Sequence, residues 1–96
     1  MIFAVVYTPA PAWIQGKPVV EQPFFKEHAR YMRRFFADGR LLMGGFFLDN
    51  QGGLGILEAA DEAEAREIVE QDPAVQNKVF QPDLHPWYPA FNQYAQ

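Results

Sequence analysis

The chain contains no cysteine, which excludes disulfide staples, thiolate metal centres and a thiol nucleophile. Histidine occurs only twice, at His28 and His85. Two histidines among scattered carboxylates show no ligand spacing, so no metal site is expected. Positive charge is scarce too: 8 Lys and Arg face 12 Asp and Glu, a net charge of −4 that argues against a nucleic-acid partner. The one basic cluster, Arg30, Arg33 and Arg34, falls on what reads as the outer, solvated face of a helix. No apolar run approaches the roughly 18 residues of a membrane span, so no membrane partner is expected. Met1 leads directly into a strand-like segment with no secretory pattern, and a cytoplasmic location is expected. Gly52, Gly53 and Gly55 follow a hairpin turn and enter a strand, not a helix, so they form no dinucleotide fingerprint and no cofactor is expected. No nucleophile elbow is present.

What the chain does have is aromatic surface. Nine Phe, four Tyr and two Trp in 96 residues exceed what so small an interior needs. Part of that surface should meet a partner subunit or line a pocket. The length allows one domain, residues 1–96, with a core over about 1–90 and a C-terminal tail at 91–96 that can dock on a neighbour.

Ile2 to Tyr7 is a β-branched and aromatic run that reads as a buried first strand. A proline-broken loop follows from Pro9 to Gln22, with Trp13 and Ile14 as an apolar tip that can anchor it or serve as part of a lid. The first helix should start near Pro23 and stop at Asp38-Gly39. Arg40–Leu48 and Leu54–Ala59 make a hairpin around Asp49–Gly53. Asp61 and Glu64 form a capping box opening a second helix, which must end before Pro73. Val79–Tyr88 is the last strand, and Pro82 and Pro86 assign it to a sheet edge. The order β-α-β-β-α-β predicts an α+β, ferredoxin-like sandwich: a four-stranded antiparallel sheet with two helices on one face. The open face should be covered by a second copy of the chain, making a homodimer.

Both helices carry one ionisable residue in an apolar stripe. In the first, Phe25, Met32 and Phe35 recur at helical spacing, and His28 occupies the missing step. In the second, Ala65, Ile68 and Val69 lead to Asp72 on the same face. The two helices run antiparallel across the sheet, so the start of the first and the end of the second share one end of the sandwich. Asp72 at a helix C-terminus and His28 near a helix N-terminus each meet an unfavourable dipole end, and pairing offsets both costs. Such a pair beside an aromatic pocket can serve as a general acid–base device. It can equally be structural, with His28 satisfied in the core and Asp72 a helix stop. His85, at the same strand parity as Asp83 and Trp87, reads as an exposed edge residue. Tyr7 and Tyr31 read as core or interface residues that could also donate hydrogen bonds in a pocket.

His28 with "ARYMRRFFADGRLLMGG" after it, then "LDNQGGLGILEAADEAEAREIVEQDP", resembles the YciI-like (YCII-related) family from Met1 to about Trp87. That pattern has a histidine entering the first helix, "G-R-L-L-x-x-G" into the second strand and a helix ending in "D-P". The resemblance implies a ferredoxin-like fold of the dimeric α/β barrel type and an active site on a histidine and an aspartate, here His28 and Asp72. It is similar in fold to muconolactone isomerases and to small heme-degrading or quinone-forming monooxygenases. Phe24, Phe25, Lys26 and Glu27 stand where members often carry arginine and proline, so the pocket around the pair differs. The expectation is a small enzyme in which His28 acts as general base or acid and Asp72 orients it. The substrate would be a lactone, a haloaromatic breakdown product or another cyclic acid. The alternative is a non-catalytic module that binds a small ligand or dimerises, with the pair tying two helices together.

Overall fold

The computed structural model describes residues 1–94. Strand β1 (Ile2–Pro9) is followed by a 3₁₀ turn at Val19–Glu21 and helix α1 (Phe25–Ala37). Strands β2 (Leu41–Phe46) and β3 (Gly53–Glu58) form the hairpin. Helices α2 (Glu62–Glu70) and α3 (Pro73–Gln76) then lead to strand β4 (Phe80–Pro86). The sheet order is β2-β3-β1-β4 with every pair antiparallel, and the helices cover one face. This is the ferredoxin-like α+β arrangement, with a short extra helix before the last strand.

Alternation along β1 decides which face is buried. Phe3, Val5 and Tyr7 point to the helices and are sealed, while Ile2, Ala4 and Val6 between them stay partly open. Phe3, Val5, Leu57 and Val79 are fully buried, and each such side chain contributes about 1.5–3 kcal/mol over an exposed one. Met32 and Phe35 of α1 and Ala65, Ile68 and Val69 of α2 close the core from above. The Tyr31 hydroxyl donates to the Ile68 carbonyl at 2.7 Å and ties α1 to α2.

β2 contains a bulge. Leu41 pairs with Leu57, but Met43 pairs with Ile56, so two residues on β2 oppose one on β3. The extra residue reverses the inside–outside parity of everything after it. Met43 and Gly45 therefore sit on the open face with Ile56 and Leu54, while Gly44 turns toward the helices opposite Gly55. In the hairpin loop, Gly52 has φ +118°, and a Cβ there would lie 1.9 Å from the Tyr7 carbonyl oxygen, so only glycine fits.

Several expected boundaries move. α1 begins at Phe25, two residues after Pro23, because Phe24 adopts the left-handed conformation (φ 63°) and ends the preceding turn. The loop after β1 is held, not free. The buried Gln22 side chain accepts from the Ile14 N–H at 2.8 Å and donates to the carbonyls of Ile14 and Lys17. Trp13 is buried beside Phe80, so the expected apolar tip is anchored in the core and only Ile14 is exposed. In the capping box, Asp61 accepts from the Glu64 N–H at 2.9 Å, but Glu64 reaches the Ala60 N–H instead of that of Asp61. β4 is an edge strand, as its prolines require, and its pairing direction continues through a Trp87 N–H to Ile2 carbonyl bond. Beyond it Phe91 and Tyr94 are exposed, and Ala95 and Gln96 of the expected tail lie outside the described residues.

Candidate active site

α1 presents its second turn to the sheet, and that turn carries His28. The expected partner arrives from the chain between α2 and α3. His28 Nδ1 and Asp72 Oδ2 are 2.5 Å apart across 44 residues of sequence. The His28 side chain retains 17% of its accessible surface and that of Asp72 none. A carboxylate removed from water needs full satisfaction, and this one has it. Its second oxygen, Oδ1, accepts from the Ala74 N–H at 2.9 Å.

The position of Asp72 differs from the one its helical spacing predicts. Asp72 does not close the last turn of α2; Gln71 caps that helix, and Asp72 is the N-cap of α3. Its carboxylate therefore meets unsatisfied helix N–H groups, which attract it, and not the negative end of a dipole. The apolar stripe of α2 still leads to Asp72, but a change of helix delivers it.

As a carboxylate Asp72 can only accept, so the proton of a neutral His28 ring resides on Nδ1. Nε2 then carries the lone pair. Among the described residues the Tyr7 hydroxyl is the only sealed side-chain polar atom without a partner, so Nε2, which bonds to no protein group, is not shut away from solvent. The His28 ring is fixed on its other sides by edge contacts to Tyr7 and Phe80, with centroids at 5.7 and 5.1 Å. It lines a cavity of about 270 Å³ between α1 and the β2–β3 hairpin. The walls are mostly apolar, with Phe25, Met32, Phe36, Phe46 and Phe80 among them. A sheltered apolar hollow with one convergent basic atom suits proton transfer on a small organic molecule.

Three further features shape the cavity. Tyr7 lines the cavity with its hydroxyl buried and unpartnered, and burial, with the Asp72 charge second, pushes that hydroxyl well above the ordinary phenol range. Arg33, read as part of a solvated helix face, stands among the lining residues. Gly44 and Gly55 face each other on the cavity side of the sheet. His85 takes no part: on the open face, its Nε2 lies 3.0 Å from Asp83 Oδ2, and both side chains are exposed. No group of three or more metal-ligating side chains occurs among the described residues, and no helix there is long and apolar enough to cross a membrane.

The YCII-related domain matches residues 1–87. Among solved structures the chain is similar to 5-chloro-2-hydroxyhydroquinone dehydrochlorinase from Burkholderia phenoliruptrix AC1100, in complex with 2,5-dihydroxybenzoquinone. The TM-score is 0.73 at 23% identity, over 92% of this chain and 94% of that one, a likeness of fold. No curated protein matches the chain.

Proposed function

The chain belongs to the YCII-related family, and on that footing we propose that it is a small acid–base enzyme acting on a cyclic organic substrate. The observation that carries the reading is the His28–Asp72 hydrogen bond, which leaves Nε2 as the free basic atom of a ring lining an apolar cavity. Asp72 holds the ring in one orientation and one tautomer and stabilises the imidazolium once a proton has been taken. His28 Nε2 removes a proton from the bound molecule and returns it to a leaving group or a neighbouring carbon. Both halves of such an exchange use the same atom, so no second titratable group is needed in the cavity. A cyclic acid, a lactone or a halogenated ring offers acidic protons of this kind. That the fold neighbour is a dehydrochlorinase of a hydroquinone supports looking among such rings first.

The homodimer belongs to the same proposal. Ala4, Val6, Leu54, Ile56 and Met43 form an apolar patch on the sheet face that the helices leave bare. A second copy packed there would bury it.

The test is turnover. Wild-type protein is offered chlorinated hydroquinones, cyclic acids and lactones, and His28→Ala is assayed on whichever is converted. We expect loss of conversion with secondary structure and oligomeric state retained. Undiminished conversion in His28→Ala, with a lower melting temperature, would make the pair a structural tie and sink the catalytic reading.

A further inference from the structure

The hairpin places glycine on the cavity side where a strand has least use for it. Gly44 and Gly55 are directly opposed across β2 and β3, both turned to α1. A glycine in a strand interior forgoes packing and costs conformational entropy, and an opposed pair forgoes a whole cross-strand contact. Neither position needs glycine for its backbone, since the glycines with positive φ are Gly16, Gly39 and Gly52. Neither needs it for close approach. A Cβ on Gly55 would meet only Tyr7 Cε2 at 3.7 Å and Leu41 Cδ1 at 3.8 Å, ordinary contacts. On Gly44 it would meet the Leu41 methyls at 3.4 and 3.5 Å. Gly53 is different, because a Cβ there would lie 2.5 Å from the Gly45 carbonyl oxygen. What remains to account for Gly44 and Gly55 is the room they leave in the cavity.

That room has a shape. At Gly44 and Gly55 the floor is backbone, flanked by the Leu41 and Tyr7 side chains, and the roof is α1, with His28 and the small Ala29. Two opposed positions without side chains open the helix–sheet contact locally, and a flat ring seated at about 3.5–4.0 Å from each wall makes the best use of such a gap. A puckered ring is thicker and does not fit the same gap. The lining itself contains no carboxylate, since Asp72 lies buried behind His28, and Arg33 is its one permanent cation, with no ion-pair partner among the described residues.

We propose that the slot selects a flat, single-ring anion, its face on the backbone at Gly44 and Gly55 and its charged group toward Arg33, with Gly55 setting the thickness. This rests on the site proposed above but not on its chemistry, so unreactive probes test it. Benzoate, cyclohexanecarboxylate and benzyl alcohol are titrated into ¹⁵N-labelled protein, following the amides of Gly55 and His28. Benzoate should bind at least about tenfold more tightly than cyclohexanecarboxylate, which has the same charge and a thicker ring. Gly55→Ala should weaken benzoate by about tenfold with its melting temperature kept, and Gly44→Ala carries the same expectation if the first variant folds poorly. Arg33→Gln should weaken benzoate about threefold and leave benzyl alcohol unchanged.

Equal affinity for the flat and puckered acids, or benzoate binding unchanged in both glycine variants, would overturn the slot while leaving the acid–base reading standing. Silence of the wild type toward all three probes would overturn the slot and the ligand cavity together. The expected binding pattern alongside undiminished turnover in His28→Ala would keep the slot and remove only the catalysis.

Discussion

Asp72→Asn separates the two jobs of the buried carboxylate more cleanly than its deletion. In the wild type Oδ1 caps α3 through the Ala74 N–H at 2.9 Å, and Oδ2 receives the His28 Nδ1 proton at 2.5 Å. Asparagine caps a helix as well as aspartate does, so its carbonyl can keep the first bond. Its amide nitrogen then faces His28 Nδ1, and an amide N–H can only donate. The imidazole must respond by accepting at Nδ1 and moving its proton to Nε2. The atom open to the cavity thereby changes from base to donor. One amide hydrogen is also left buried without a partner, a cost of about 1–3 kcal/mol that should lower the melting temperature by roughly 4–8 °C per kcal/mol in a domain this size. The loss in turnover should be far larger than that modest destabilisation implies, roughly 10²–10⁴-fold, the range of a general acid–base contribution. The direct assay needs no substrate. With histidine ¹⁵N-labelled and the ring neutral, the wild type should show a protonated Nδ1 and a bare Nε2, and Asp72→Asn the reverse. A variant that keeps the Nδ1–H tautomer would refute the argument, because Asp72 would then not be what fixes the proton.

Tyr7→Phe removes a buried hydroxyl that has no partner and leaves the ring's contacts with His28 and Phe80 in place. Stability at neutral pH should rise by about 1 kcal/mol, read as an upward shift in the denaturant midpoint; a fall would mean that the hydroxyl is satisfied after all. Burial raises the Tyr7 hydroxyl, so folding favours its protonated form. That stability is fully present below the unfolded value of about 10 and is lost as pH rises beyond it, at about 1.4 kcal/mol per pH unit. The phenylalanine variant should lose less between pH 10 and 12, while keeping the smaller contribution of Tyr31, also raised chiefly by burial. On the open sheet face, Ile56→Asp puts a charge where a second copy would pack, without touching the helix side. Light scattering after size exclusion should report a dimer for the wild type and a monomer for the variant; a wild-type monomer would remove the dimer proposal.

The sequence, through local periodicity and the placement of its prolines, determined the element order, the edge position of β4 and the interruption of two apolar stripes by His28 and Asp72. Helical spacing reports which face a residue shares, and antiparallel helices bring one end of each together, so the pair was legible in the sequence. It was legible with the wrong helix, however. Asp72 caps α3, a four-residue turn that Pro73 starts and that no periodicity can announce. Tyr7 alternates inward like any core residue, and only the packing around it leaves the hydroxyl without a partner. The cavity itself belongs to tertiary structure alone. Strict alternation from Leu41 would turn Met43 inward to fill the space, and one extra residue at the bulge turns Gly44 there instead, opposite Gly55. Cross-strand register is a contact between distant segments, and a single slip in it exchanges the two faces of a strand. Faces within each element were written in the sequence; what each face meets, and the space left between them, was decided by the fold.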